Sequence, residues 1–128
     1  MDASAAIELI LRTELGEKVE RRALSSEEHL NAPHLLDLEV AQVLRRLTQM
    51  KEISPARAHQ ALEDYQGLLV ERTGHQVLLG RIWQLRDSMT AYDAAYVALA
   101  EVLNAPLLTC DLKLARSHGH RARIELLQ

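Results

Sequence analysis

The sequence contains a single cysteine, one tryptophan, three tyrosines, no phenylalanine, three prolines and five glycines. One cysteine, Cys110, closes no internal disulfide, and the absence of any CxxC pair removes the usual arrangement for zinc. Trp83 and the tyrosines are too few and too scattered to form a stacking platform for single-stranded nucleic acid. No repeat, linker or low-complexity stretch interrupts the chain, and the prolines and glycines fall mostly at element boundaries, so residues 1–128 read as one domain. Long apolar runs are missing too. The longest stretch free of Asp, Glu, Lys and Arg runs from Val102 to Cys110, about half of what a membrane-spanning helix needs. Met1 is followed directly by Asp2, with neither a basic region nor an apolar segment behind it, so no secretory leader is expected and a cytoplasmic location is.

An excess of positive charge is also lacking. Fifteen Lys and Arg against 18 Asp and Glu give a net charge of -3, which argues against a chain that binds nucleic acid by global charge. The distribution is uneven, however. Lys113, Arg116, Arg121 and Arg123, with His118 and His120, form an acid-free basic strip after Asp111. A solvated surface explains such a strip as readily as contact with a phosphate backbone does.

What the chain does have is alternation. Ala3 to Leu11 and Glu17 to Leu24 read as helices, His29 to Ala32 as an extended segment ended by Pro33, and His34 to Met50 as a helix with Leu36, Val40, Val43, Leu44 and Leu47 on one stripe. Ser54-Pro55 opens another helix that runs to about Gly67. Leu68 to Glu71 suggests a strand, His75 to Arg86 a helix, Thr90 to Leu103 an alanine-rich helix, and Ala105 to Thr109 a buried strand. A short helix from Asp111 to Ser117 and a strand from Ala122 to Leu127 complete the pattern. Strands alternating with helices imply crossover connections and a largely parallel sheet covered on both faces, an α/β fold.

Four acids stand out against that frame. Ligands of open parallel sheets bind beyond the carboxyl ends of the strands, where Asp111 and Asp2 fall. Each also has the place of a helix N-cap, and Thr90-Ala91-Tyr92-Asp93 has the spacing of a capping box. Glu39 is less easily dismissed. At about 100° per residue it projects only about 40° from Val43, on the edge of the buried stripe, where an ionised carboxylate must be protonated, paired with a cation or bound to a metal. Several carboxylates at one site repel one another unless a divalent cation offsets them, and Mg²⁺ or Mn²⁺ meets that need with oxygen ligands while leaving room for a phosphate. His118 and His120 lack a third soft ligand, and Cys110 lacks a partner base, so neither a transition-metal site nor a thiol nucleophile is expected.

Asp2-Ala3-Ser4-Ala5, Leu36-Asp37-Leu38-Glu39-Val40, the run Thr90-Ala91-Tyr92-Asp93-Ala94-Ala95-Tyr96-Val97-Ala98-Leu99-Ala100, and Leu107-Leu108-Thr109-Cys110-Asp111 occur in that order. Together they resemble the PIN-domain ribonucleases, specifically the VapC-type toxins of bacterial and archaeal toxin–antitoxin pairs, across essentially the whole chain. The resemblance implies a parallel sheet flanked by helices, Mg²⁺-dependent hydrolysis of RNA phosphodiester bonds, a homodimer, and inhibition by a cognate VapB-type antitoxin. It makes Asp2 and Asp93 the principal metal ligands, with Glu39 and Asp111 completing an acidic pocket, and Ser4 and Thr109 supporting it by hydrogen bonding. Arg46, on the face of Glu39, together with Lys113 and Arg116, is expected to reach substrate phosphate. Competing readings are a non-catalytic binding module of the same fold and a metal-dependent nuclease acting on structured DNA.

One departure accompanies the resemblance. Family members carry several apolar residues before the first aspartate, forming the central strand of the sheet, whereas only Met1 precedes Asp2 in this sequence. Either a start further upstream or a hole in the sheet is expected, and a version extended by an apolar strand should be the more stable.

Overall fold

The computed structural model describes residues 1–25 and 29–128. Helix α1 covers Ala3–Leu11 and is capped by Asp2, whose Oδ1 accepts from the Ala5 amide at 3.1 Å. It ends at Arg12, in the left-handed region at φ 54. Helix α2, Glu14–Ala23, starts three residues before the expected Glu17, because Thr13 Oγ1 supplies a second cap by accepting from Gly16 N at 2.9 Å. Gly16 also lets the two helices touch. A Cβ built there would stand 2.0 Å from the Glu8 carbonyl oxygen.

Strand β1, Leu30–Pro33, includes the proline expected to end it and pairs in parallel with β2, Val70–Thr73, in the register Leu30↔Val70 to Pro33↔Thr73. Helix α3, Leu35–Gln49, turns Leu36, Val40 and Leu44 inward as its periodicity requires, and its first amide, Leu35 N, is capped across the chain by His75 Nε2 at 3.1 Å. Helix α4, Pro55–Gln66, begins at the Ser54-Pro55 signal. Strand β2 begins two residues later than expected because Gly67 and Leu68 still close the helix, donating to the Glu63 and Tyr65 carbonyls. The helix expected from His75 to Arg86 is a 3₁₀ turn, Gln76–Leu78, followed by α5, Leu79–Gln84.

Helix α6, Ala91–Leu103, is the centre of the molecule. Residues Ala94 through Ala100 are all buried, and it packs against α5, β1 and β3. Alanines at four of those positions let neighbouring backbones approach closely while costing almost no side-chain entropy. After it come β3, Leu107–Thr109, α7, Leu112–Ala115, and β4, Ile124–Leu126, which pairs in parallel with β3. Burial of side chains such as Leu36, Leu78, Leu85 and Leu114 contributes about 1.5–3 kcal/mol each. Two paired contacts tie the late segments down: Arg22 grips Glu125 at 2.7 and 2.8 Å, and Arg81 grips Glu101 at 2.8 and 3.0 Å.

The α/β class and parallel pairing are as expected, but the sheet is divided. Strands β1 and β2 form one pair, β3 and β4 another, and among the described residues no strand lies between β1 and β3. A cleft occupies that place, lined by Met1, Leu30, Asn31, Pro33, Leu107 and Leu108 among others. On its β3 side Asp2 donates its amide to the Leu108 carbonyl at 3.1 Å. Among the described residues no helix is long and apolar enough to cross a membrane.

Candidate active site

The carboxyl ends of β1 and β3 lead into α3 and α7, and the acids singled out from the sequence sit near the starts of helices on that side. Asp2 caps α1, Asp111 caps α7 by accepting from Lys113 N at 2.8 Å, Asp93 lies in the first turn of α6, and Glu39 is in the second turn of α3. Helix N-termini favour negative charge, which partly offsets the cost of gathering acids there. Asp2 and Asp111 are themselves N-caps, while at α6 the cap is Thr90, whose hydroxyl accepts from the Asp93 amide.

Asp2 is the anchor. It is buried, and its Oδ1 accepts from Ser4 Oγ at 2.7 Å as well as from Ala5 N, while Oδ2 accepts from Thr109 Oγ1 at 2.6 Å. A carboxylate offers about four acceptor positions, so three are taken and about one remains for another ligand. The supporting hydroxyls are held in turn. Ser4 Oγ accepts from Cys110 N at 2.9 Å, and Thr109 Oγ1 accepts from Asp111 N at 3.0 Å. Ser4 and Thr109 thus bond directly to Asp2 and lock α1, the end of β3 and the start of α7 into one network.

Glu39 and Asp93 are only partly buried. Burial holds the Glu39 carboxyl above its ordinary range; a hydrogen bond from Tyr96 works the other way, and the charges of Asp93 and Asp2 add to the rise. Asp93 is likewise raised, first by burial and then by the charges of Asp111 and Asp2, with Lys113 opposing them. The charge of Asp2 thus bears on both Glu39 and Asp93, that of Asp93 on Glu39, and that of Asp111 on Asp93. They do not form a closed cage: among the described residues no group of three or more His, Cys, Asp or Glu side chains could hold a metal ion as placed.

The partner of Glu39 differs from the simple alternative of a salt bridge to arginine. It is the Tyr96 phenol, at 2.6 Å. Sequence reasoning gave Tyr96 no role beyond core or interface, although its position three residues after Asp93 puts both on one face of α6. The basic strip divides. Lys113 acts on Asp93, whereas Arg121 pairs with Glu101 at 3.8 Å and Arg123 donates to the Asn104 carbonyl at 3.2 Å. Arg46 and Arg116 are exposed. His120 is occupied on both ring nitrogens, by Ser117 and by Ala122 N, and holds the turn that contains Gly119. The Cys110 thiol is pushed up to about 11 by burial and by the charges of Glu8 and Asp2, which keeps it protonated and inert.

A PIN domain model matches residues 1–118. The chain belongs to the PIN-domain family. Within it, this PIN domain is similar to Ribonuclease VapC12 of Mycobacterium tuberculosis, 42% identical over 127 residues that make up 99% of this chain and 97% of that protein. It is also similar to VapC ribonuclease Mb0985 of Mycobacterium bovis, 43% identical over 90% of this chain and 87% of that one. Ribonuclease VapC1 of Mycobacterium tuberculosis is 45% identical over 84% of this chain and 81% of its own length. These identities place the PIN domain among the VapC ribonucleases. The crystal structure of PAE2754 from Pyrobaculum aerophilum shares the fold, with a TM-score of 0.68 at 22% identity over 96% of this chain and 79% of that one.

The donors of this PIN domain are carboxylate oxygens, the chemistry a hard divalent cation prefers, and at Glu39 and Asp93 burial first and neighbouring acids second disfavour a charge that a cation would offset. Mg²⁺ is ordinarily held by one or two carboxylates with several retained waters, so a preassembled cage is not required.

Proposed function

We propose that this PIN domain is the toxin endoribonuclease of a toxin–antitoxin pair and hydrolyses RNA phosphodiester bonds with Mg²⁺, or Mn²⁺ in its place. The observation that carries the reading is the buried Asp2 carboxylate, held by Ser4 and Thr109 beside Glu39, Asp93 and Asp111, in a chain 42% identical to a VapC ribonuclease. Asp2 and Asp93 are the principal ligands in this reading, with Glu39 and Asp111 beside them. When bound, the cation polarises a phosphoryl oxygen and lowers the pKa of a coordinated water. The protein's own contribution is to hold its carboxylates in place through Ser4, Thr109 and the helix starts, and to draw the RNA backbone in with Lys113, Arg116 and Arg46. A VapB-type antitoxin, a homodimer and a cytoplasmic location complete the reading.

RNA cleavage by the folded chain with Mg²⁺ or Mn²⁺ tests it. Cleavage that stops with a chelator and with Asp93→Asn supports the proposal. Intact RNA in excess Mn²⁺ overturns it in favour of a binding module, and preferential cutting of matched DNA overturns it in favour of a DNA nuclease.

A further inference from the structure

Glu39 is a partly buried carboxylate without a cationic partner. Among the described residues its side chain has one hydrogen bond, from the Tyr96 hydroxyl to Oε1 at 2.6 Å, and no ion pair. Tyr96 is itself buried in α6, 4% exposed, and is among the residues that line the cleft between β1 and β3. Buried there, the ring has little freedom to swing the hydroxyl away from Oε1. A neutral donor differs from arginine in one decisive respect. It fixes the direction of the carboxylate through a short, charge-assisted bond yet leaves the full negative charge available to a cation. One oxygen is thereby engaged, and Oε2 keeps its acceptor positions.

We infer that Tyr96 is a positioning residue that pins Glu39 through Oε1 and presents Oε2 to the acidic region shared with Asp2 and Asp93. The inference rests on the reading of Glu39 as part of a cation site. Outer partners that orient a ligating group commonly change metal affinity by about 10–100-fold when removed.

The test is Mn²⁺ binding to the full chain without RNA, followed by electron paramagnetic resonance of free Mn²⁺, in a double-mutant cycle of Tyr96→Phe and Glu39→Gln. Tyr96→Phe keeps the ring in the cleft and removes only the donor. The expected result is an Mn²⁺ dissociation constant about 10–100-fold higher for Tyr96→Phe, with little further loss when it is added to Glu39→Gln. Glu39→Asp, which withdraws the carboxylate from the phenol without touching the core, should lose affinity similarly and serves if Tyr96→Phe does not fold. Wild-type affinity in Tyr96→Phe, or losses that multiply in the double variant, overturns the inference while leaving the cation site standing; wild-type affinity in Glu39→Asp does the same. Unchanged affinity in Glu39→Gln, or no Mn²⁺ binding by the wild type, overturns the underlying reading of the site and the inference with it.

Discussion

Thr109, the last residue of β3, donates its hydroxyl to Asp2 Oδ2 at 2.6 Å across 107 positions of sequence. The same oxygen accepts from the Asp111 amide, so one buried hydroxyl serves two of the acids. Thr109→Val retains the shape and strands both partners, which should cost about 1–3 kcal/mol of stability. Mn²⁺ affinity should fall about 10–100-fold, and Thr109→Ser should recover most of both losses. Urea unfolding and Mn²⁺ titration of the two variants check this.

Gly16 permits the close approach of α1 and α2. A methyl group there would lie 2.0 Å from the Glu8 carbonyl oxygen, against backbone that cannot rotate away. Despite the better helix propensity of alanine, Gly16→Ala should therefore destabilise the chain by at least about 1–3 kcal/mol, read as a lower unfolding midpoint.

Glu101 supplies the pH dependence. Its side chain is 4% exposed and accepts from Arg81 Nε at 2.8 Å and from Arg121 N at 2.9 Å, and the Arg81 bond leads in holding its carboxyl below the usual glutamate value of 4.5. A group whose pKa is lower folded than unfolded contributes fully above the unfolded value, and its contribution disappears as pH falls through the folded value. Glu101→Gln should thus cost about 1–3 kcal/mol at pH 7 and progressively less below about pH 4. Denaturant midpoints at pH 7 and at acid pH, for both proteins, give the comparison.

The cleft between β1 and β3 has a strand on each side. A version carrying about five β-branched residues ahead of Met1, able to run parallel to both, should unfold at a higher midpoint by pairing backbone groups and covering apolar surface. Equal midpoints for the two versions would rule this out.

Lys113 and Arg116 offer the charge that the acidic region lacks. Replacing either with alanine should weaken RNA binding and make it less sensitive to added salt, reducing the slope of log affinity on log salt by roughly one for each phosphate that is no longer neutralised. Filter binding across a salt series in Ca²⁺, which discourages cleavage, tests each variant.

Features governed by neighbours in sequence are legible from the sequence alone. The Ser54 and Thr90 caps, the inward stripe of α3 and the alanine-rich α6 follow from spacing and local hydrogen bonding. Asp2, Ser4 and Thr109 could be linked only through a resemblance, since nothing local joins positions so far apart. Tyr96 escaped notice because its partner lies 57 residues away on another helix. Arg121 and Arg123 are solvent-exposed, in line with a solvated strip, and what the sequence could not give is that Glu101 and the Asn104 carbonyl lie within their reach. The gap between the two strand pairs is expected through the resemblance alone, since periodicity is silent on which strands find each other.

Because Asp2 both caps α1 and anchors the acidic region, a replacement such as Asp2→Ala removes a helix cap while it removes a charge. An inactive reference protein made at that position would confound lost folding with lost chemistry. Asp93, whose helix is capped by the Thr90 hydroxyl and whose charge its surroundings resist, is the cleaner place to build one.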